Sequence, residues 1–213
     1  MVMSSASLGR RRWLQAAVGM AIAPVASRSA HAEAAAVAPV QDLCNSLLEI
    51  MRAGQRTPFT QRFQTLAPAI ERTFDLPSIL QLSVGPTWAS LPSSEQATLL
   101  AAFRRYTVAN YVNSFDSYNG QRIEVQPETK PPPNNEQLVM TKIFSASGET
   151  HEIDYVMRQS GTWRAVDVLA DGSISRVAVQ RSDFRRLVMQ GGAQALIESL
   201  NQKTSDLSGG AMS

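Results

Sequence analysis

Apolar residues recur at helical spacing in two segments of the first half of the chain. The first segment carries Leu43, Cys44, Leu47, Leu48 and Met51. The second carries Phe59, Phe63, Leu66 and Ile70. Gly54 follows the first segment, where helices commonly end on a left-handed residue. Pro68 interrupts the second, and proline lacks the amide hydrogen that a helix interior uses. We expect one helix that ends before Gly54 and a second that kinks or divides at Pro68.

Two further helices have recognisable starting residues. Asp75 is a favourable N-cap with a proline just inside the first turn, and Gly85-Pro86 stops that segment. Ser93 and Gln96 have the spacing of a capping box, which predicts the start of the longest helix, running towards Phe115. Its apolar face consists of Leu99, Leu100, Phe103, Tyr106, Ala109 and Tyr111.

After Asn119-Gly120 the hydrophobic period changes from 3.6 to 2, which is typical of half-buried strands. Strand-like segments cover residues 122–126, 137–144, 152–157 and 163–169, and a proline-rich loop lies at residues 130–135. Helical spacing returns from Ile174 and breaks at Gly191-Gly192. Helices followed by an antiparallel meander of about four strands and further helices indicate the α+β class.

The first 32 residues have the three parts of an export signal. Arg10-Arg11-Arg12 is a basic head, residues 14–26 are apolar, and Ala30-His31-Ala32 is a small-x-small cleavage site. The apolar run is shorter than the roughly 20 residues that span a bilayer. The basic head, followed by Trp13 and Leu14, resembles a twin-arginine export motif. We expect cleavage after Ala32 and a periplasmic protein, with an uncleaved anchor as the alternative.

Removal of that signal changes the sign of the net charge. It takes away four arginines and no acidic residue, so the formal charge goes from +2 to −2. General affinity for nucleic acid therefore lacks electrostatic support. We expect the mature chain to have a flexible lead-in at residues 33–39, a single domain at 40–203 and a flexible tail at 204–213, and to be a monomer.

Few residues carry recognisable chemistry. His151 is the only histidine outside the signal, so HExxH metal sites are excluded and no metal is expected. Cys44 lies on an apolar stripe and is expected to be a core residue. The chain has no GxSxG, GxGxxG or GxxxxGK[ST] motif, so neither a hydrolase elbow nor a nucleotide cofactor is predicted.

Two groups of charged residues leave alternatives open. The carboxylates at Glu152/Asp154 and Asp167/Asp171 are candidates for a glycosidase pair, which needs one acid in an apolar pocket and another several ångströms away. The first pair is also what a solvated strand face contains. The arginines at 181, 185 and 186 lie near one helical face. They either meet acidic head groups or a protein partner, or they form a solvated face.

Several segments resemble the MlaC-type family, also called toluene-tolerance auxiliary proteins. The helical half carries Phe74-Asp75-Leu76-Pro77, Val84-Gly85-Pro86-Thr87-Trp88 and the run from Phe103 to Tyr111. The second half carries the run from Trp163 to Ser175, followed by Phe184 and the glycine pair. The resemblance spans residues 40–203, and residues 167–179 and 207–210 look closest to the hopanoid-associated HpnM branch.

The resemblance implies a periplasmic lipid carrier rather than an enzyme. In such a protein a helical layer packs on a curved antiparallel sheet, and lipid tails occupy an apolar cavity between them. It implies shuttling of phospholipid, or of a hopanoid in the HpnM-like branch, between an outer-membrane lipid-donor or acceptor protein and an inner-membrane ABC transporter complex. It implies no cofactor. Candidate cavity-wall residues are Phe74, Ile79, Trp88, Leu99, Phe103, Tyr106, Val139, Ile153, Tyr155, Met157, Trp163, Val166 and Val168.

Two other functions remain open at this point. An enzyme acting on a lipid or isoprenoid in the same cavity would use Tyr106 or Asp167 as acid or base, and would need a polar group with a perturbed pKa inside the cavity. A periplasmic adaptor that binds only protein would have a filled core and an exposed apolar patch.

Overall fold

The computed structural model describes residues 25–130 and 136–212. The helices are α1 (Val25–Ala53), α2 (Phe59–Thr73), α3 (Leu76–Val84), α4 (Ser93–Ser114) and α5 (Arg176–Leu207), with a 3-10 segment at Gly85–Ser90. The strands are β1 (Arg122–Lys130), β2 (Glu136–Phe144), β3 (Thr150–Ser160), β4 (Thr162–Ala170) and the two-residue β5 (Ile174–Ser175). Most of the export signal and of the predicted proline-rich loop fall outside the described residues, and signal cleavage remains a prediction.

The five strands form one antiparallel sheet in the order β1-β2-β3-β4-β5. Its inward face buries Val139, Tyr155, Met157 and Ala165 against the helices. Its outer face carries exposed ion pairs such as Lys142–Glu152, with 3.5 Å between nitrogen and oxygen. The predicted α+β class, helices on an antiparallel meander, is therefore confirmed, with β5 as a short addition.

Helix α1 begins earlier than the sequence pattern predicts. Residues 33–39, expected to be a flexible lead-in, are part of this helix, and Ala36 and Val40 are fully buried. The alanine-rich composition of this segment favours a helix even without an apolar period. The hydroxyl of Thr73 donates to the carbonyl of Pro39 at 3.0 Å and ties the segment to α2. Among the described residues, no helix is long and apolar enough to cross a membrane.

Other helix boundaries agree with the sequence pattern in part. Helix α2 continues through Pro68 instead of dividing. The side chain of Asp75 accepts a hydrogen bond from the amide of Ser78, which confirms the predicted N-cap of α3. Helix α4 begins at Ser93, but the capping box is absent, because the side-chain amide of Gln96 donates to the carbonyls of Trp88 and Leu91 instead.

The connection between α2 and α3 attaches the helical layer to the sheet. The amide of Asp75 donates to the carbonyl of Ala165 at 2.9 Å, and Phe74 forms an isolated parallel bridge with the same strand residue. This main-chain pairing places Phe74 and Asp75 against β4. The start of α3 is therefore held at a fixed distance from the strand that lines the candidate site.

Cys44 lies in the filled part of the core. Its side chain is buried in the main apolar cluster, and this burial raises the pKa of the thiol to about 12. Since the thiolate is the nucleophilic form, the sulfur is inert at neutral pH. Cys44 is a core residue, as its place on the apolar stripe predicts.

The C-terminal segment is more ordered than predicted. Residues 204–207 belong to α5, Thr204 is fully buried, and a guanidinium nitrogen of Arg105 donates to the carbonyl of Met212 at 2.6 Å. The predicted tail thus begins as the last turn of α5, and Met212 contacts α4 through Arg105. The predicted break at Gly191-Gly192 is confirmed as a kink within α5.

Gly192 permits this kink because of its backbone conformation. Its φ of 68° and ψ of −163° lie in a region that only glycine adopts readily, and a Cβ added at this position would meet no atom within 4 Å. We predict that Gly192→Ala lowers the free energy of unfolding by about 1–3 kcal/mol through backbone strain alone. Urea unfolding monitored by circular dichroism measures this change. The exposed neighbour Gln190→Ala should change stability by less than about 0.5 kcal/mol, and an equally small effect of Gly192→Ala would contradict the assignment.

Candidate functional site

A cavity of about 370 Å³ lies between α3, α4, the start of α5 and strands β3 and β4. Ligand pockets in proteins have volumes of roughly 300–1,000 Å³. The lining residues are Phe74, Leu76, Ile79, Phe103, Tyr106, Thr107, Asn110, Tyr111, Ser114, Phe115, Ile153, Asp167, Val168, Ala170, Arg176, Val177 and Gln180. Phe103 at one side is buried, whereas Ser114 and Arg176 are exposed, so the cavity opens to solvent on the side of these two residues.

Helix α4 contributes a continuous stripe to the wall. Residues 103, 106, 107, 110, 111 and 114 all line the cavity, and their spacing of three and four places them on one helical face. Aromatic and polar side chains alternate along this stripe, and Ser114 is its exposed member. The lining residues that are exposed, Ser114 and Arg176, are therefore polar.

Aromatic side chains form and support much of the cavity wall. The ring of Phe74 lies between Tyr111 and Tyr155, with centroid distances of 5.7 and 6.1 Å. Tyr111 also stacks on Phe115 at 6.0 Å and shares a side-chain hydrogen bond with Tyr155. Aromatic pairs at these distances contribute packing energy beyond their buried area. These contacts hold the wall rigid.

The polar side of the opening is organised by Asp167. One carboxylate oxygen accepts the amides of Val168 at 2.7 Å and Val177 at 3.1 Å, and the other accepts the hydroxyl of Ser175. Ser175 in turn caps α5 by accepting the amide of Ala178. Both oxygens of Asp167 are engaged in joining β4 to the first turn of α5. A negative charge at this helix end is also favourable to the helix dipole.

Arg176 places a positive charge beside the cavity opening. It is the first residue of α5, its side chain is exposed, and it lines the cavity. Within the described part of the chain, no carboxylate forms an ion pair with it. Its charge acts on the phenols of Tyr106 and Tyr111, where it opposes the effect of burial. The opening therefore presents a cation above an apolar floor.

The tyrosines of the site remain neutral. Burial raises the pKa of Tyr106, Tyr111 and Tyr155 above the ordinary range, and the Arg176 charge offsets this only partly for Tyr106 and Tyr111. A tyrosine with a raised pKa is a poor general base at neutral pH. Asp167, the other acid or base considered from the sequence, is occupied by the hydrogen bonds to α5.

The structure brings together part of the predicted wall set. The predicted residues that line the cavity are Phe74, Ile79, Phe103, Tyr106, Ile153 and Val168. The others lie elsewhere. Leu99, Val139, Tyr155 and Met157 are buried in the main apolar cluster, and Val166 is buried outside that cluster. Trp88 and Trp163 line separate depressions, at the 3-10 segment and between α1, α2 and β4, respectively.

Pattern reasoning misses the polar members of the wall. Thr107, Asn110 and Ser114 follow Phe103 at spacings of four, seven and eleven, so the helical period alone places them on the same stripe. A search restricted to apolar residues does not select them. Arg176 and Gln180 carry no such signal, because their position depends on how α5 packs against α3 and β4.

The other carboxylates and the histidine form no site. Asp154 is only 7% exposed, although it lies on the face expected to be solvated, and its carboxylate accepts the amide of Thr141 at 3.4 Å. The turn at Asp171-Gly172 covers it, and this burial raises its pKa. His151 is exposed. Among the residues that the structure describes, no group of His, Cys, Asp and Glu comes together to hold a metal ion.

Comparisons with known proteins place the fold in a family. A crystal structure of a phospholipid-binding protein from Ralstonia solanacearum, in complex with a phospholipid, superposes with a TM-score of 0.68 at 19% identity. The match covers 81% of this chain and 98% of that one, and it shows that the two share a fold. Comparison with curated protein sequences gives no significant match. The family model described as MlaC protein matches residues 41–202, so this chain belongs to the MlaC family.

Proposed function

We propose that the protein binds a phospholipid, with the acyl tails in the cavity and the phosphate at the opening beside Arg176. The observation that carries this proposal is the polarity of the cavity wall, which is aromatic and aliphatic inside and polar at the opening. The phospholipid complex of the Ralstonia solanacearum protein, which has the same fold, supports it. The apolar walls remove the acyl tails from water, and the opening provides hydrogen-bond donors for the lipid phosphate.

The energetics favour partial enclosure of the tails. Each methylene group removed from water contributes about 0.8 kcal/mol. A cavity of about 370 Å³ holds only part of two long tails as it stands, so the walls separate further when lipid enters. The start of α5 is fixed to β4 through β5 and Asp167, whereas α4 has no main-chain pairing with the sheet among the described residues, so we expect α4 to be the wall that moves.

The wider role follows from the same binding. The protein shuttles lipid through the periplasm, after its signal is removed at Ala32, between an outer-membrane donor or acceptor protein and an inner-membrane ABC transporter complex. The resemblance to the HpnM branch supports a hopanoid as an alternative cargo. The cation at the opening favours phospholipid instead, since a hopanoid hydrocarbon skeleton carries no phosphate for Arg176 to bind.

Filling the cavity should block lipid uptake. Val168 lines the cavity and is half-buried, so Val168→Trp places a ring in the space that the tails would occupy. We predict that the variant takes up at least about tenfold less phospholipid from vesicles, because loss of room for even two methylenes costs about 1.6 kcal/mol. Uptake is measured by re-isolating the protein from vesicles that contain labelled phosphatidylethanolamine.

The matched control for this variant is Leu169→Trp. Leu169 is the next residue of β4, pairs with Asp154 on the other face of the sheet and does not line the cavity. The Leu169→Trp variant should therefore leave phospholipid uptake unchanged. Equal uptake by both tryptophan variants, with both folded, would contradict the assignment of the cavity as the tail site.

Removing the cation should weaken binding of lipids that carry phosphate. We predict that Arg176→Gln lowers affinity for phosphatidylglycerol about tenfold and leaves affinity for diacylglycerol unchanged, because a hydrogen bond to a charged group is worth about 1.5–3 kcal/mol before solvent screening. Competition against a fluorescent lipid measures both affinities. The control Arg104→Gln removes an exposed arginine of α4 that lies outside the cavity. A parallel loss for both lipids would show that Arg176 supports the fold instead.

A further inference from the structure

Several large apolar side chains of α3, β5 and α5 are exposed. Within the described residues, five such side chains are exposed, and four of them lie on α3, β5 or α5. These are Leu82 at 46%, Ile174 at 52%, Val179 at 44% and Met189 at 83%. Single exposed apolar residues are ordinary. Two of the four belong to one basic surface, because Leu82 lines a shallow depression with Arg181, and Met189 lines another with Arg185 and Arg186.

Arginines are interleaved with these apolar side chains. Residues 176–190 contain Arg176, Arg181, Arg185 and Arg186 against the single acid Asp183, although the chain beyond residue 32 is net negative. Arg181, Arg185 and Met189 recur at spacing four and share one helical face. The same arginines lie beside the 3-10 segment, where a Cβ on Gly85 would be 3.9 Å from Nε of Arg181 and 4.0 Å from Cδ of Arg185.

This surface adjoins the cavity opening. Arg176, Val177 and Gln180 line the cavity, and Arg181 follows directly on the same helix. The oxygen of the Gln180 amide lies 3.4 Å from the Ser83 hydroxyl and links α5 to α3, which carries Leu82. At 1.5 Å per residue, the helix from Arg176 to Met189 extends about 20 Å from the opening. We call the exposed residues Leu82, Arg181, Arg185, Arg186 and Met189 the α5 face.

We propose that the α5 face lies on the surface of an anionic phospholipid bilayer and sets the cavity opening against the head groups. The arginines meet lipid phosphates, and the apolar side chains between them insert at the level of the head groups. At such an interface basic side chains attract anionic lipids and buried apolar side chains add binding energy. The docking itself is independent of the proposed lipid cargo; only its use for exchange rests on the proposed function.

The composition favours a bilayer over a folded protein partner. The centre of a protein interface is depleted of charged residues, whereas here Leu82 shares a depression with Arg181, and Met189 shares one with Arg185 and Arg186. Basic residues near an anionic membrane each contribute about fivefold to partitioning. The remainder of the chain beyond residue 32 is net negative, which favours an orientation with this basic face towards such a membrane.

The experiment is co-sedimentation of the full-length, exported protein with vesicles. Vesicles of phosphatidylcholine with phosphatidylglycerol as the minority lipid are compared with vesicles of phosphatidylcholine alone, at low and at high salt. The variant Arg181→Gln/Arg185→Gln/Arg186→Gln is compared with Arg56→Gln/Arg72→Gln/Arg104→Gln, which removes the same charge from exposed arginines outside the α5 face. Met189→Ser tests the apolar contribution without a charge change. Thermal unfolding verifies that each variant is folded.

We expect the wild-type protein to bind the anionic vesicles at low salt. High salt should abolish this binding, because charges more than about 10 Å apart are screened at 0.1 M salt. The α5-face triple variant should lose about a hundredfold in partitioning, Met189→Ser severalfold, and the control triple variant little. Absence of wild-type binding, or an equal loss in both triple variants, overturns the proposal. If the wild-type protein does not bind vesicles, the α5 face would instead be covered by an acidic protein surface or by a second copy of the chain.

The test is separable from the proposed function. Uptake of phospholipid from detergent micelles is measured in the same proteins, since it requires the cavity but no bilayer. Micellar uptake without vesicle binding would overturn the α5-face proposal alone. Vesicle binding without any uptake would overturn the lipid cargo and leave the docking surface standing.

Discussion

The carboxylate of Asp167 is the interaction on which the cavity depends. It accepts two backbone amides and the Ser175 hydroxyl, so that β4 and the first turn of α5 are joined at one point. Because α5 is fixed there, its first two turns stand beside α4 and the sheet instead of filling the space between them. The side chains of α4, α5 and the sheet that line this space leave a cavity between them. The same junction places Arg176 at the opening and orients the exposed face of the helix that follows.

The interior is divided into a filled part and an open part. On the side of α1 and α2, residues such as Leu43, Leu47 and Leu66 are fully buried against the sheet. On the side of α4 and the start of α5, Phe103 is buried but Tyr106, Val168 and Val177 remain partly accessible. Protein interiors are normally close-packed, so an accessible apolar wall beside a well-packed core is a feature that folding alone does not require. It is what a site for acyl tails requires.

The fold can be predicted from the sequence more completely than the site. The change of period at Asn119-Gly120, the Asp75 cap and the Gly191-Gly192 break are local signals, and the structure has the features they predict. The helix at residues 33–39 escapes prediction because an alanine-rich helix has no apolar period. The ordered chain end escapes it because its order comes from tertiary contacts such as the Arg105 hydrogen bond to Met212.

Cavity-wall residues are harder to predict than the fold. Periodicity shows which face of a helix or strand is buried, but not whether that face contacts other side chains or lines a cavity. Tyr155 and Val168 are paired across β3 and β4 and point the same way, yet only Val168 lines the cavity. The difference arises from Phe74, which covers Tyr155. The polar residues Asn110 and Arg176 carry the distinguishing chemistry of the opening, and a search limited to apolar positions cannot find them.

The most direct test of lipid binding is native mass spectrometry of the protein purified after export, followed by extraction and identification of any lipid that it retains. We expect one phospholipid bound per chain, released when the protein is unfolded. A bound hopanoid would support the cavity as a lipid-binding site but would show that the cargo is not a phospholipid. A protein that is free of lipid and takes up none from vesicles would contradict the central claim.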